Sequence, residues 1–258
     1  MFATSAPLLV QLAVFFAIGV AAGISNGIAG GGTFLTFPTL IGMGIPSLVA
    51  NVSSTVGVLP SYIGGISGFK EQLKSHGKLV RSVLPFCFLG TGLGCTLLLI
   101  GSPATFSQVI PYLIGFGTII FACAPLITKR LSHISHDHVG RKWTFFGGIF
   151  LISIYGGYFG AGLGILLLAA MAVSLPFEIQ ELQGLRNLLS IIINAIAATV
   201  FLVRGHLNWT AVSMLLIGTL IGGFLGTLLI KKVSPNVVRA LVVATGAITT
   251  VHLFLKAH

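Results

Sequence analysis

Acidic side chains are nearly missing from this chain: Glu71, Asp137, Glu178 and Glu181 are its only four carboxylates among 258 residues, and charged residues of both signs make up 7%. Soluble domains carry about a quarter charged residues, so a water-soluble globule is excluded. A cation site built from buried carboxylates is disfavoured on the same ground. Cysteine is also scarce. Cys87, Cys95 and Cys123 lie in apolar runs with no CxxC spacing, which reads as small, buried, reduced hydrophobes rather than a disulfide framework. No Asp, Glu, Lys or Arg occurs from Met1 to Phe69, and the first seven residues lack the basic region of a cleaved signal peptide. What fills the chain instead is hydrophobic: 55% of residues, with a mean hydropathy of +1.05. The uncharged stretch Ser82 to Thr128 alone is long enough for two spans of about 20 residues. The expectation is a multi-pass membrane protein, with the lipid bilayer as its partner.

The net charge of +10 would suggest nucleic acid if it were spread over a surface. It is confined to the ends of apolar spans, in clusters at Lys70, Lys74, Lys78 and Arg81, at Lys129, Arg130, Arg141 and Lys142, and at Lys231, Lys232 and Arg239. Such clusters mark cytoplasmic loops. Nucleic acid is therefore not an expected partner.

Glycine is abundant, at 34 residues, and its placing organises the rest. Two clusters, Gly27 to Thr33 and Gly156 to Gly162, interrupt apolar runs. Glycine inside a helix costs about 1 kcal/mol relative to alanine, so each cluster marks a break. Unwound backbone in a bilayer must be buried in protein or line a polar cavity. A shift of 130 residues lays Gly27, Gly30, Gly32 and Pro46 on Gly157, Gly160, Gly162 and Pro176, and a shift of 132 lays Gly90, Gly94 and Ser102 on Gly222, Gly226 and Ser234. One membrane domain over 1–258 is read as repeat one, 7–128, a cytoplasmic loop, 129–142, and repeat two, 143–255. Within each repeat, a helix before the break (8–26; 143–154) and a short arm after it (33–45; 163–175) form a re-entrant hairpin, since about 13 residues of helix reach only ~20 Å. Three spans follow in each: 47–69, 80–100 and 105–128, then 177–203, 209–230 and 235–255. Three crossings invert the second repeat relative to the first. The basic clusters favour inversion over a parallel four-plus-four arrangement by one residue. Gly19, Gly23 and Gly27, and Gly218, Gly222 and Gly226, recur at every fourth position, giving small faces that suit close packing within the chain or in a homodimer.

The second arm of each hairpin starts at a break, so its free amides and partial positive charge face the midplane, with Thr33 placed to cap the first arm. Gly30, Gly31, Gly32, Gly160 and Gly162 would supply backbone to a small anionic substrate; the alternative is that these glycines serve packing only. Polar residues cluster after each proline: Asn51, Ser54 and Thr55, and Gln183, Arg186 and Asn187. Arg186 falls ~12 Å below the expected surface, where an arginine is costly and is kept for function by default. It binds substrate or pairs with Glu178 or Glu181. No cofactor, metal or catalytic residue is expected. The loop His133-Ile134-Ser135-His136-Asp137-His138 offers metal-ligating groups without a fixed scaffold, and Gly65-Ile66-Ser67-Gly68 spells a serine-protease fragment without a suitably placed histidine.

These residues resemble the TauE/SafE family of sulfite and organosulfonate permeases: Gly27-x-x-Gly30-Gly31-Gly32 with Pro38, Gly42-x-Gly44-x-Pro46, Ala50-Asn51-x-Ser53-Ser54, the basic loop after Phe69, and Gly157-x-x-Gly160-x-Gly162. The second break departs from the first at Ala161. The resemblance implies a secondary carrier of the cell inner membrane, not an enzyme, for anions such as sulfite, sulfoacetate or related sulfonates. Alternating access would rock one repeat against the other around two helix N-termini and Arg186, together about +2. A passive anion channel and a non-transporting membrane subunit are the alternatives.

Overall fold

A computed structural model describes residues 7–28, 30–63, 76–131, 142–175, 177, 179–229 and 234–257. Among them the structure is helical, without strands. The elements are α1 (Leu8–Ile28), α2 (Thr33–Gly42), α3 (Ser47–Val58) running into a 3₁₀ turn (Leu59–Tyr62), α4 (Gly77–Ile100), α5 (Pro103–Leu131), α6 (Lys142–Tyr158), α7 (Leu163–Ser174), α8 (Ile179–Arg204), α9 (Trp209–Leu229) and α10 (Pro235–Ala257). Six of these, α1, α4, α5, α8, α9 and α10, are long and apolar enough to cross a membrane. Large side chains such as Leu89, Ile100, Ile119, Leu151, Val203, Leu228, Ile248 and Leu255 face outward. In water they would form a disastrous apolar surface; in lipid they are solvated.

Two differences from the sequence reading have simple causes. The expected span 47–69 is interrupted: α3 stops at Val58, and Leu59-Pro60-Ser61-Tyr62 winds as 3₁₀ helix, because Pro60 has no N–H to continue the ladder. The helix before the first break, expected over 8–26 as one arm of a re-entrant hairpin, runs on to Ile28. At 21 residues α1 rises ~31 Å, enough to cross by itself, whereas α2, at 10 residues, is half a crossing. The corresponding pair, α6 and α7, has 17 and 12 residues, α6 continuing past the expected Ile154 to Tyr158.

Two glycine seams hold the bundle. Gly19, Gly23 and Gly27 of α1 stand against Gly218, Gly222 and Gly226 of α9, so the two helices run parallel and their backbones touch. In the other seam, Gly90 and Gly94 of α4 stand against Ser153 and Ile154 of α6, and Gly157 of α6 stands against Thr91. The small faces thus meet within the chain. Lipid gives no hydrophobic drive for helix association, so close dispersion contact must supply it, and only glycine permits this approach. Cys95 uses the second seam too: its S–H donates to the Gly157 carbonyl at 3.4 Å. All three cysteines are free thiols.

The helices of the first half pack on those of the second in an exchanged pattern. As α1 lies on α9, α6 lies on α4; as α3 meets α9, α8 meets α4; as α2 meets α10, α7 meets α5. Between the halves, α5 and α10 run antiparallel, with Gly115 against Thr250, Gly246 against Thr118, and Tyr112 edge-on to Phe254 at 4.9 Å. A core of Phe15, Phe34, Phe37, Leu40, Phe106 and Phe121 fills the space around the breaks.

Because a Cβ at Gly23 or Gly222 would meet backbone of the facing helix, Gly23→Val and Gly222→Val are expected to cost about 1–3 kcal/mol each through overpacking. Gly92, with nothing in reach, should tolerate valine. Thermal unfolding in detergent checks this: the first two melt several degrees lower than wild type and Gly92→Val does not.

Candidate functional site

The two breaks are built alike. Ser25 O accepts the N–H of Gly30 and Tyr155 O that of Gly160; Gly32 O accepts from Leu35 and Thr36, and Gly162 O from Ile165 and Leu166. Each of these bonds has its counterpart 130 residues on, whereas Phe34 N–H to Gly31 O in the first break and Leu163 N–H to Gly160 O in the second have none among the described residues. The Ser25 hydroxyl donates to Gly30 O at 2.9 Å, and the Tyr155 hydroxyl, at the matching position, donates to Ala161 O at 2.6 Å. Gly30, Gly31, Gly160 and Gly162 all have φ between +77° and +87°, the left-handed region that glycine enters without penalty. These four residues reverse the chain at the breaks, so α2 and α7 start inside the protein.

Between the two starts lies a cavity of about 30 Å³, lined by Gly30, Gly31 and Thr33 from the first break, Gly160, Gly162 and Gly164 from the second, and Arg186, Asn187 and Ser190 of α8, with Asn26, Tyr62 and Phe121 completing it. Arg186 is seven residues into α8, ~10 Å along its axis, and its stem lies on Gly164, where an added Cβ would stand 3.6 Å from Cδ. Its guanidinium makes a long hydrogen bond, 3.4 Å, to Asn187 Oδ1. Tyr62 interacts with Asn194 and lies in the field of Arg186. Thr33 and Gly164, in the first turns of α2 and α7, donate to no backbone or side-chain acceptor among the described residues. The cavity therefore combines a guanidinium, two half-helix N-termini and free amides.

Nothing described neutralises this charge. Of the four carboxylates, Glu181 alone is among the described residues, and it stands 3.8 Å from His76 Nε2 at the end of the bundle. Glu178, the other partner weighed for Arg186, is outside the described residues. No group of three or more metal-ligating side chains occurs among the described residues, and the loop His133–His138 lies outside them, as does Gly65–Gly68. A roomier cavity, about 380 Å³, sits at the far end of α2 against α5 and α10, lined by Ile41, Ile45, Ser47, Ser107, Gln108 and Leu253 among others. It has no charged wall, so size alone does not select it.

The structure gathers Gly30, Gly31, Thr33, Gly160, Gly162, Arg186 and Asn187 from those singled out in the sequence. It sends the others elsewhere. Thr33 is not the cap of α2: Gly32 holds that position, and its N–H donates to Asn26 Oδ1 at 2.6 Å, so Gly32 is buried under Asn26 rather than open to the cavity. Asn51 Nδ2 donates to Tyr158 O at 3.0 Å, tying α3 to the end of α6. Ser54 shares a short hydrogen bond with Thr36, Thr55 donates to Asn51 O at 3.0 Å, and Gln183 is on the exposed side of α8. Ser190, one turn beyond Arg186 on the same face, was readable from helical spacing. Asn26, Tyr62 and Phe121 came from elements whose approach no local pattern announces.

The match to known families agrees with this architecture: the family described as Sulfite exporter TauE/SafE covers residues 15–253. The chain belongs to the TauE/SafE family. It is thus a membrane transporter by family. It is 24% identical over 234 residues to a probable membrane transporter protein of Haemophilus influenzae, covering 90% of each chain. It is 22% identical over 252 residues to the probable membrane transporter protein YfcA of Escherichia coli K12, covering 98% of this chain and 92% of that one. No solved structure matches the chain significantly.

At Gly31, φ is +87° and an added Cβ would press on the Phe121 ring and Val242. Gly31→Ala is therefore expected to lose about 2 kcal/mol, left-handed strain and crowding together, and Gly30→Ala, with open space but the same φ region, about 1 kcal/mol. Urea or thermal unfolding in detergent ranks them, with Gly31→Ala the lower.

Proposed function

We propose that the chain is a secondary transporter of a small sulfur-containing oxyanion, sulfite or a short organosulfonate, working by alternating access across the cell inner membrane around the Arg186 cavity. The observation that carries this is electrostatic. A guanidinium lies on the first turn of α7, like charge on like, with no carboxylate in the described lining. An uncompensated buried charge costs several kcal/mol, and an anion bridging Arg186 and the free amides removes that cost. The size of the cavity favours a compact oxyanion over an aryl sulfonate, and sulfite is also the substrate in the family's description.

The two halves act as inverted repeats. Support comes from α5 and α10, which hold the same place in the two halves and run antiparallel; a two-fold axis in the membrane plane relates them so, whereas an axis along the normal would make them parallel. The glycine seams bear on the motion. Rocking one whole half against the other would part both seams, so the rigid units are cross-half: α1 moves with α9, and α6 with α4.

In proteoliposomes, wild type should show saturable sulfite flux and counterflow of preloaded substrate. Arg186→Gln removes the charge-assisted bonds and should lower that flux by roughly tenfold or more. Unchanged flux in the variant removes Arg186 from the site. Ohmic current without counterflow makes the protein a channel, and no flux with no ligand-dependent stabilisation makes it a non-transporting subunit.

A further inference from the structure

The two breaks share their main backbone bonds, yet the side chains facing them differ. Arg186 overlies the second. The first is held by Asn26, in the last turn of α1, whose counterpart 130 residues on is Gly156. Asn26 Oδ1 accepts the N–H of Gly32, the capping residue of α2, at 2.6 Å. Its Nδ2 donates to Ser61 Oγ at 2.8 Å, and the Ser61 hydroxyl passes its own proton to Val58 O at 2.5 Å. These donors and acceptors fix which end of the amide faces α2. The same side chain lines the cavity that Arg186 lines, and Ser61 precedes Tyr62 in the 3₁₀ turn that brings the phenol to that cavity.

At a helix N-terminus the residue usually chosen for this acceptor role is Asp as readily as Asn, and the dipole favours the charged one. An aspartate at 26 would keep the oxygen for Gly32 and let the Ser61 hydroxyl turn its proton to the second oxygen. The amide therefore preserves one local bond, Ser61 to Val58 O, that an aspartate would exchange for its own. A carboxylate would also neutralise the first N-terminus and pair electrostatically with Arg186, occupying the field meant for a ligand.

We propose that Asn26 is the residue that sets anion selectivity: a neutral acceptor that secures α2 without cancelling the positive field of the cavity. This rests on the anion site proposed above. At an effective dielectric of about 20, a unit negative charge about 8 Å from a bound monoanion weakens binding by roughly thirtyfold.

The test uses the full-length protein in detergent, titrated with sodium sulfite and sodium methanesulfonate by calorimetry, with melting temperature measured in parallel. Asn26→Asp should melt at or above the wild-type temperature and bind either anion roughly thirtyfold more weakly. Asn26→Ala, which deprives the Gly32 amide of its acceptor, should melt lower but lose far less affinity than Asn26→Asp. An Asn26→Asp protein that binds like wild type overturns the inference, as does one that does not fold, since the carboxylate is argued to keep both hydrogen bonds. Equal losses in the two variants also overturn it, because then the amide rather than its neutrality matters. Arg186→Gln separates the two claims: if it abolishes binding while Asn26→Asp does not, the site stands and Asn26 falls. If Arg186→Gln binds normally, or wild type binds neither anion, the site itself falls.

Discussion

A positive charge that meets no counter-charge among the described residues, held where lipid can offer none, is the constraint around which this site is built. A backbone amide or guanidinium in hydrocarbon must find an acceptor or carry a cost of several kcal/mol. The chain creates two such amide clusters by stopping α1 and α6 at left-handed glycines and restarting as α2 and α7, and it adds Arg186 at the second. Each choice worsens the local electrostatics of the empty protein. Under the proposed function they make sense around a negatively charged guest, which would turn three liabilities into three ligands.

The rest of the bundle serves to keep those liabilities aligned. In a bilayer the outward side chains are already solvated, so stability comes from close contact at the glycine seams and from hydrogen bonds that span the halves, such as Asn51 to Tyr158 O and Asn208 N–H to Ser53 Oγ. The seams are exchanged between halves, each half lending its first helix to the other's fourth. That arrangement ties the two breaks together through packing that crosses the halves.

Much of this was legible in the residues. The glycine clusters, their 130-residue recurrence and the short arms announce broken helices, and the depth of Arg186 announces a buried charge. Helical spacing would have added Ser190. What could not be read is instructive. Asn51, Ser54 and Thr55 are polar at the right depth, but they follow the helix face turned to Tyr158, Thr36 and their own backbone, and depth does not determine facing. Asn26 looks like an ordinary residue at the end of a span until the chain reverses and lays Gly32 on it. Tyr62 depends on Pro60 converting a helix to a 3₁₀ turn, and Phe121 on the antiparallel crossing of α5 and α10. Thr33 carried the usual capping chemistry, yet Gly32 holds the cap position and Asn26, six residues upstream, accepts its N–H.

The central claim is that one anion is held jointly by Arg186 and by the starting turns of both half-helices. Selenite is a close analogue of sulfite with an anomalous scatterer at its centre, and a selenite-soaked crystal would locate it directly. The account predicts a single strong peak inside the cavity, with its oxygens about 3 Å from the Arg186 guanidinium and from the amides at Thr33 or Gly164. A peak elsewhere, or an Arg186 side chain paired with Glu178 and no peak beside it, would contradict the account.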